Sequence, residues 1–354
     1  MIVVGAMAAV IWVVGWALGT PRQARLLMLG ILLTAVVALH VIVGEGHPLR
    51  EQTGSDPRLW LLLVAAVALA WGYGQVLGRV RVEATRRQAP PPEPSRVPGT
   101  LSEAELSRYA RHITLREIGG MGQRALRDAR VLVVGAGGLG SPAILYLGAA
   151  GVGHLGIIDG DEVERSNLQR QVIHGEADLG RLKARSAGDS AASLNPHITV
   201  RTYSRRFTAD IASELLAGYD LVLDGSDSFG TRGLVNRAAV AAGVPLIAGA
   251  LTAWEGQVSL YDPARGGPCY ACVFPEEPAP GLVPSCAEAG VAGPLPGVVG
   301  SLMALEAVKH LAQAGETLRG RMLLFDGLHA EARTIGLEAR ADCPVCGGRG
   351  LPRA

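Results

Sequence analysis

A glycine-rich turn follows directly on an all-apolar run: Val131-Leu-Val-Val134 leads into Gly135-Ala-Gly137-Gly138-Leu-Gly140. An apolar run with no polar alternation reads as a strand buried on both faces, as in a parallel sheet. Ser141 to Ala150 then reads as a helix. His154-Leu-Gly-Ile-Ile-Asp159 reads as a second strand, ending in an acid 24 residues after Gly135. Strand, glycine turn, helix, strand and acid form a nucleotide-binding unit. The glycines let a phosphate approach the helix N-terminus, and the acid reaches a ribose hydroxyl. The class expected is therefore α/β with a mostly parallel sheet.

The motif alone does not choose the nucleotide, and NAD is its default. The residues beyond it point elsewhere. Asp159-Gly-Asp161 is followed by Ser166-Asn167-Leu168-Gln169-Arg170-Gln171 and by Gly180-Arg-Leu-Lys183. A dehydrogenase has no evident need for an arginine and a lysine just past the ribose acid, whereas a triphosphate needs its charge neutralised. Of the 33 basic residues only Lys183 and Lys309 are lysines. A compact ammonium at Lys183, in a chain that otherwise uses arginine, suits a phosphate; the bland alternative is a solvated helix residue. Leu221-Val-Leu-Asp224-Gly-Ser-Asp227 reads as a further strand ending in two acids at the sheet edge where ligands bind. Asp227 is expected to hold Mg²⁺ through oxygen, and Asp224 to brace a loop or cap a helix. Ser102-Glu-Ala-Glu105 fits a capping box, and a second helix is expected near Gly122 to Asp128.

Composition separates the rest of the chain from this unit. Of 354 residues, 49% are hydrophobic and only 18% charged, and mean hydropathy is +0.26. Disorder is excluded, and the apolar excess lies at the N-terminus. Three runs without charged side chains, about 2–19, 26–44 and 59–78, predict three membrane-crossing helices. Trp12, Trp16, Trp60, Trp71 and Tyr73 fit interfacial anchors. The first run lacks the basic start of a signal peptide. Arg22 and Arg25 flank one side with Arg79, Arg81, Arg86 and Arg87, against Arg50 and Arg58 on the other. That asymmetry predicts an outside N-terminus and a cytoplasmic C-terminal part, at the inner (cytoplasmic) membrane. Residues 81–100 contain Ala89 to Gly99, a Pro-rich stretch expected to act as a tether, and residues 101–354 form the soluble domain. Net charge is +1 overall and −3 beyond residue 100, so no nucleic-acid partner is expected.

Cys269-Tyr-Ala-Cys272 and Cys343-Pro-Val-Cys346 are two C-x-x-C pairs, with Cys343 lying 71 positions after Cys272. One such pair could be redox-active; two satisfy a closed tetrahedral Zn²⁺. Their separation exceeds that of a compact zinc ribbon, so both readings stay open. Cys286 is left over in the Pro- and Gly-rich stretch Pro275 to Pro296.

Together these residues resemble the ThiF/MoeB/HesA family of adenylating enzymes, bacterial relatives of ubiquitin-activating E1. The resemblance runs from about Arg108 to Cys346. It includes Arg108-Tyr-Ala-Arg111-His-Ile, the glycine turn, Asp159-Gly-Asp161, Ser166 to Gln171, Lys183 and Asn195-Pro196. It continues through Asp224-Gly-Ser-Asp227, Gly256-Gln257, the two cysteine pairs, Cys286-Ala-Glu-Ala-Gly290 and Gly297 to Ser301. It is strongest to the molybdopterin-synthase branch, with the thiamine branch next. It implies a Rossmann-like E1-type adenylation domain. ATP would adenylate the C-terminal Gly-Gly carboxylate of a ubiquitin-like sulfur carrier, and a separate sulfur donor would follow. By that resemblance Gly135, Gly137, Gly138, Gly140, Asp159, Asp161, Ser166, Asn167, Leu168, Gln169, Arg170, Lys183, Asp227 and Ser228 bind the nucleotide. Arg170, Lys183 and Asp227 would be catalytic, with Asp227 on Mg²⁺. Arg111 would reach the ATP of a second subunit, which implies a homodimer, and the four paired cysteines would bind Zn²⁺. In thiamine-type relatives a cysteine placed like Cys286 links covalently to the carrier, so Cys286 is a candidate only. Ser228 departs from the family's usual Asn. Competing readings are a tRNA-modifying dehydratase of the same superfamily, an NAD(P) dehydrogenase, and a membrane-docked nucleotide-binding module without turnover.

Overall fold

The computed structural model describes residues 2–44, 47–54, most of 58–77, 100–276 and 290–347. The chain divides into two compact units, Met1–Arg96 and Val97–Ala354.

In the first unit α1 (Ile2–Ala17), α2 (Arg22–Ile42) and α3 (Pro48–Thr53) are helices. Three membrane-crossing helices were expected. Among the described residues one helix, α2, is long and apolar enough to cross, with a mean hydropathy of 2.3. The first expected span makes a helix of 16 residues, about 24 Å at 1.5 Å per residue and short of a ~30 Å core. It stops early because Gly19 turns left-handed at φ +69° and Pro21 follows as the cap of α2. The third expected span falls partly outside the described residues, and those described between 58 and 77 are helical. The expected tether, residues 81–99, lies outside the described residues.

The second unit opens with α4 (Glu103–Arg108), where Ser102 and Glu105 form the expected reciprocal capping box. Then come α5 (Ala110–Ile113) and α6 (Gly119–Asp128). An eight-stranded sheet follows: β1 (Arg130–Val134), β2 (His154–Ile158), β3 (Thr199–Tyr203), β4 (Leu221–Asp224), β5 (Leu246–Leu251), β6 (Glu255–Tyr261), β7 (Arg321–Asp326) and β8 (Glu331–Gly336), in spatial order 3-2-1-4-5-6-7-8. Strands 3, 2, 1, 4 and 5 are parallel, and the remaining pairings are antiparallel. The helices between and after the strands are α7 (Gly140–Ala150), α8 (Lys183–Leu194), α9 (Ala209–Leu216), α10 (Phe229–Ala242), α11 (Tyr270–Val273) and α12 (Pro294–Ala312).

The alternation of strand side chains explains the layers. Val131 and Val133 of β1 join the core shared with α7, α8 and α12. Leu132 and Val134 of the same strand join the core shared with α9 and α10. Every residue of β1 after Arg130 is buried, so this strand needs helices on both faces. The chain runs from β1 to β2 and β3 on one side, then returns to β4 on the other. The order therefore reverses at the carboxyl ends of β1 and β4, the crevice where open α/β sheets bind ligands.

Candidate functional site

The glycine turn occupies that crevice. Gly135 has φ +92°, a left-handed conformation that glycine adopts without a Cβ penalty. A Cβ on Gly140 would stand 1.9 Å from the Gly135 carbonyl oxygen, so the turn closes only with glycine there. Gly138 comes close to Pro296 at the start of α12 and to the aliphatic part of Arg170. Gly137 has only the Gln171 amide within reach of a Cβ.

Asp159 ends β2 and accepts two backbone N–H bonds, from Ala136 at 2.8 Å and from Asp161 at 2.8 Å. One oxygen thus ties the acid to the turn, and the carboxylate keeps further lone pairs for a ribose. Lys183 begins α8, is 8% exposed, and pairs with Asp161 at 3.3 Å. One of its three donors is engaged, leaving two for a phosphate. Arg170 donates to the Ser166 carbonyl at 3.0 Å. Asn167 is buried and accepts from the Glu164 N–H. Gln169 lies against Gly293 and donates to the Val291 carbonyl, and Leu168 beside it is half-buried. Ser166 is exposed.

The loop after β4 meets the turn through Gly225, whose oxygen would lie 3.1 Å from a Cβ on Gly135. Asp224 accepts from the Ser226 N–H at 2.9 Å and braces the loop. Burial pushes its carboxyl above the usual range, with Arg232 opposing. Asp227 is exposed and makes no hydrogen bond or ion pair among the described residues. Ser228 caps α10, accepting from the Thr231 N–H at 3.1 Å. Arg111 is exposed on α5, which packs on α4 and α6, and makes no hydrogen bond or ion pair with the turn of its own chain among the described residues. Cys286 lies outside the described residues.

Three residues of this region are not among the site residues that the resemblance implies: Gln171, His174 and Arg232. Arg232 is buried and donates to the Gly249 and Ser226 carbonyls, stiffening the Asp224–Asp227 loop. Gln171 Oε1, Asp224 Oδ2 and Ser226 Oγ are buried without hydrogen-bond partners among the described residues. Unpaired buried acceptors around one turn suit a ligand or bound water. His174 is buried with partners on both ring nitrogens. Only Gln171 had a signal, its place next to Arg170 in the motif.

Burial is the largest cause holding His174 below its ordinary pKa of 6.5; Lys183 acts the same way, against the Ala136 carbonyl, Asp178 and Asp159. The folded chain therefore binds this proton more weakly than the unfolded one. Its contribution is complete above pH 6.5 and is lost as pH falls through the lower folded value. In chemical unfolding from neutral pH to about pH 5, the stability difference between wild type and His174→Gln is expected to narrow.

The four paired cysteines converge. Cys269 caps α11 and Cys272 lies within it, and Cys343 and Cys346 lie in the C-terminal turns. All four are buried, with sulfur atoms within 4.8 Å of one another. Sulfur separations of 3.8, 3.6 and 3.5 Å fit a tetrahedron with ~2.3 Å metal–sulfur bonds, whose edge is about 3.8 Å. None is disulfide-bonded. Burial pushes the Cys269 and Cys272 thiols up. At Cys343 burial is outweighed by the backbone N–H groups of Cys346 and Val345, which bring it down to about 7.

The ThiF family model matches residues 109–345. The chain belongs to the ThiF family. It is 50% identical over 250 residues to a sulfur carrier protein adenylyltransferase of Thermus thermophilus, covering 70% of this chain and 92% of that one. It is 51% identical over 247 residues to the probable adenylyltransferase/sulfurtransferase MoeZ of Mycobacterium tuberculosis, covering 69% of this chain and spanning 63% of that relative's length. The fold is shared with E. coli MccB, with TM-score 0.61 at 23% identity, covering 73% of this chain and 77% of that one. The family match begins at residue 109, beyond the N-terminal unit.

Proposed function

We propose that this ThiF-family protein is an ATP-dependent adenylyltransferase acting on the C-terminal Gly-Gly carboxylate of a ubiquitin-like sulfur carrier, in molybdopterin or thiamine biosynthesis. One observation carries the reading: the glycine turn, Asp159, Arg170 and the buried Lys183 meet at the switch point of the sheet. The name of the Thermus relative supports the class of substrate.

A carboxylate oxygen of the carrier forms a bond to the α-phosphorus of ATP. The bond from that phosphorus to its bridging oxygen breaks, and pyrophosphate leaves with the electron pair. The product is an acyl-adenylate, and no covalent enzyme intermediate is required. Catalysis is then positioning plus charge stabilisation. The turn amides and Lys183 hold phosphate oxygens, Arg170 and Asn167 face the same charge, and Asp159 holds the ribose. Asp227, exposed and unpaired beside the turn, suits Mg²⁺, which would neutralise phosphate charge. The four cysteines suit Zn²⁺, which would pin the C-terminal turns to α11. Cys286 is a candidate for a covalent link to the carrier, and a sulfur donor would act on the acyl-adenylate.

Exchange of labelled pyrophosphate into ATP, with each candidate Gly-Gly carrier, tests the reading. Exchange that no carrier stimulates would sink it. Arg111, exposed and with no side-chain hydrogen bond or ion pair among the described residues, would serve a second copy in a homodimer. Arg111→Ala alone is expected to be inactive. Mixed with Lys183→Ala it should recover activity, approaching about a quarter of wild type at equal random mixing, because about half the dimers are then mixed and each has one intact site of two. No recovery removes the trans arginine.

The N-terminal unit would attach the enzyme to the cytoplasmic membrane, with the catalytic unit on the cytoplasmic side. The length and apolarity of α2 support the attachment; the cytoplasmic side follows if the run at 59–78 crosses back, so that Arg22 and Arg25 share a side with Arg79, Arg81, Arg86 and Arg87.

A further inference from the structure

Two consecutive peptide groups of the glycine turn are held by different side chains. The Ala136 N–H donates to Asp159 Oδ2. The Ala136 carbonyl faces His174 Nε2 at 3.0 Å. The other ring nitrogen, Nδ1, lies 2.8 Å from Ser186 Oγ. A carbonyl can only accept, so Nε2 carries the proton and donates. In the neutral ring Nδ1 then accepts, and the Ser186 hydroxyl donates to it. His174 is 7% exposed and Ser186 is 1% exposed. Burial keeps the ring neutral.

Ser186 stands on α8, the helix that begins with Lys183. A second tie runs in parallel, from Ser190 Oγ on α8 to the Ile173 carbonyl at 2.8 Å. The imidazole therefore bridges the phosphate turn and the lysine helix. Its effect on the turn follows from peptide geometry. No cis peptide occurs among the described residues, so the N–H of Gly137 points opposite to the Ala136 carbonyl in the same plane. With that carbonyl drawn toward the buried ring, the Gly137 N–H is aimed away from it. Neither the Gly137 nor the Gly138 N–H donates to any group among the described residues. Free amides at the head of a helix are the donors a phosphate takes.

We propose that His174 is a positioning residue for the nucleotide: bridging Ala136 and Ser186, it aims the Gly137 amide and sets the turn in register with Lys183. The proposal rests on the nucleotide reading above and adds a residue that touches no substrate.

Calorimetric titration of the full-length protein with α,β-methylene-ATP tests it. His174→Phe keeps an aromatic ring and removes the donor. His174→Gln places an amide N–H near the position of Nε2. His174→Phe is expected to bind the analogue at least about tenfold more weakly, the usual consequence of a buried acceptor losing its donor, and His174→Gln within about threefold of wild type. Ser186→Ala should fall between them. A general loosening of the core would weaken both histidine variants alike. Equal weakening of Phe and Gln variants, or a folded Phe variant with wild-type affinity, overturns the proposal. If His174→Phe does not fold, Ser186→Ala decides: unchanged affinity overturns the proposal, and weaker affinity at an unchanged unfolding midpoint supports it. Failure of the wild type to bind the analogue overturns the nucleotide reading itself, whereas effects confined to the variants bear on His174 alone.

Discussion

Replacing Lys183 with alanine is expected to reduce carrier-dependent ATP–pyrophosphate exchange to background while leaving the fold intact. The lysine is 8% exposed and its one ion pair among the described residues is with Asp161 at 3.3 Å. Removing it frees Asp161, whose side chain is 57% exposed. Water can solvate that carboxylate, so the stability cost is small. The chemical cost is large. A preorganised donor aimed at developing charge is worth on the order of a hundred- to a thousandfold in rate. Here the donor is a full charge held at the start of α8, next to the turn. Lys183→Arg is not expected to rescue it, because a planar fork does not replace a compact ammonium. The checks are exchange of labelled pyrophosphate and a thermal unfolding curve. Wild-type exchange by Lys183→Ala would remove the phosphate role from this residue.

Replacing Cys346 with serine is expected to release the C-terminal turns and lower stability by on the order of 4 kcal/mol or more, the range seen when a structural metal is lost. The four sulfurs are buried among Val240, Ala271 and Val345, a small apolar cluster of their own. Three thiolates close on a metal less well than four, and apolar surroundings leave the remaining sulfurs unsolvated. Metal content by elemental analysis should fall from one Zn²⁺ per chain toward zero, and chelation of the wild type should produce the same unfolding shift. A Cys346→Ser protein with an unchanged unfolding midpoint would make the cluster dispensable for stability.

Much of the site was legible because its signals are local. Val131 to Gly140 states strand and turn in ten residues, and the backbone demands at Gly135 and Gly140 are steric. The capping box at Ser102 and Glu105 is likewise a short-range hydrogen-bond pattern. Less was legible where the partner is distant in sequence. His174 reaches Ala136 across 38 positions, and neither residue announces the other. That Ser228 caps α10 likewise depends on where the chain turns into a helix. The first apolar run reads as a full span on hydropathy. The left-handed Gly19 and Pro21 end its helix at Ala17.

By itself the sequence determined that the chain has an apolar N-terminal part and an α/β domain with a nucleotide turn, since both depend on composition and on spacings under about thirty residues. Only the tertiary structure decided what those motifs face. It set strands β1 and β4 side by side at the reversal of strand order. It closed two cysteine pairs, separated by 71 positions, into one cluster, and placed His174 between the turn and the lysine helix. These are long-range juxtapositions. They arise from packing helices on both faces of a buried sheet, which no local pattern encodes.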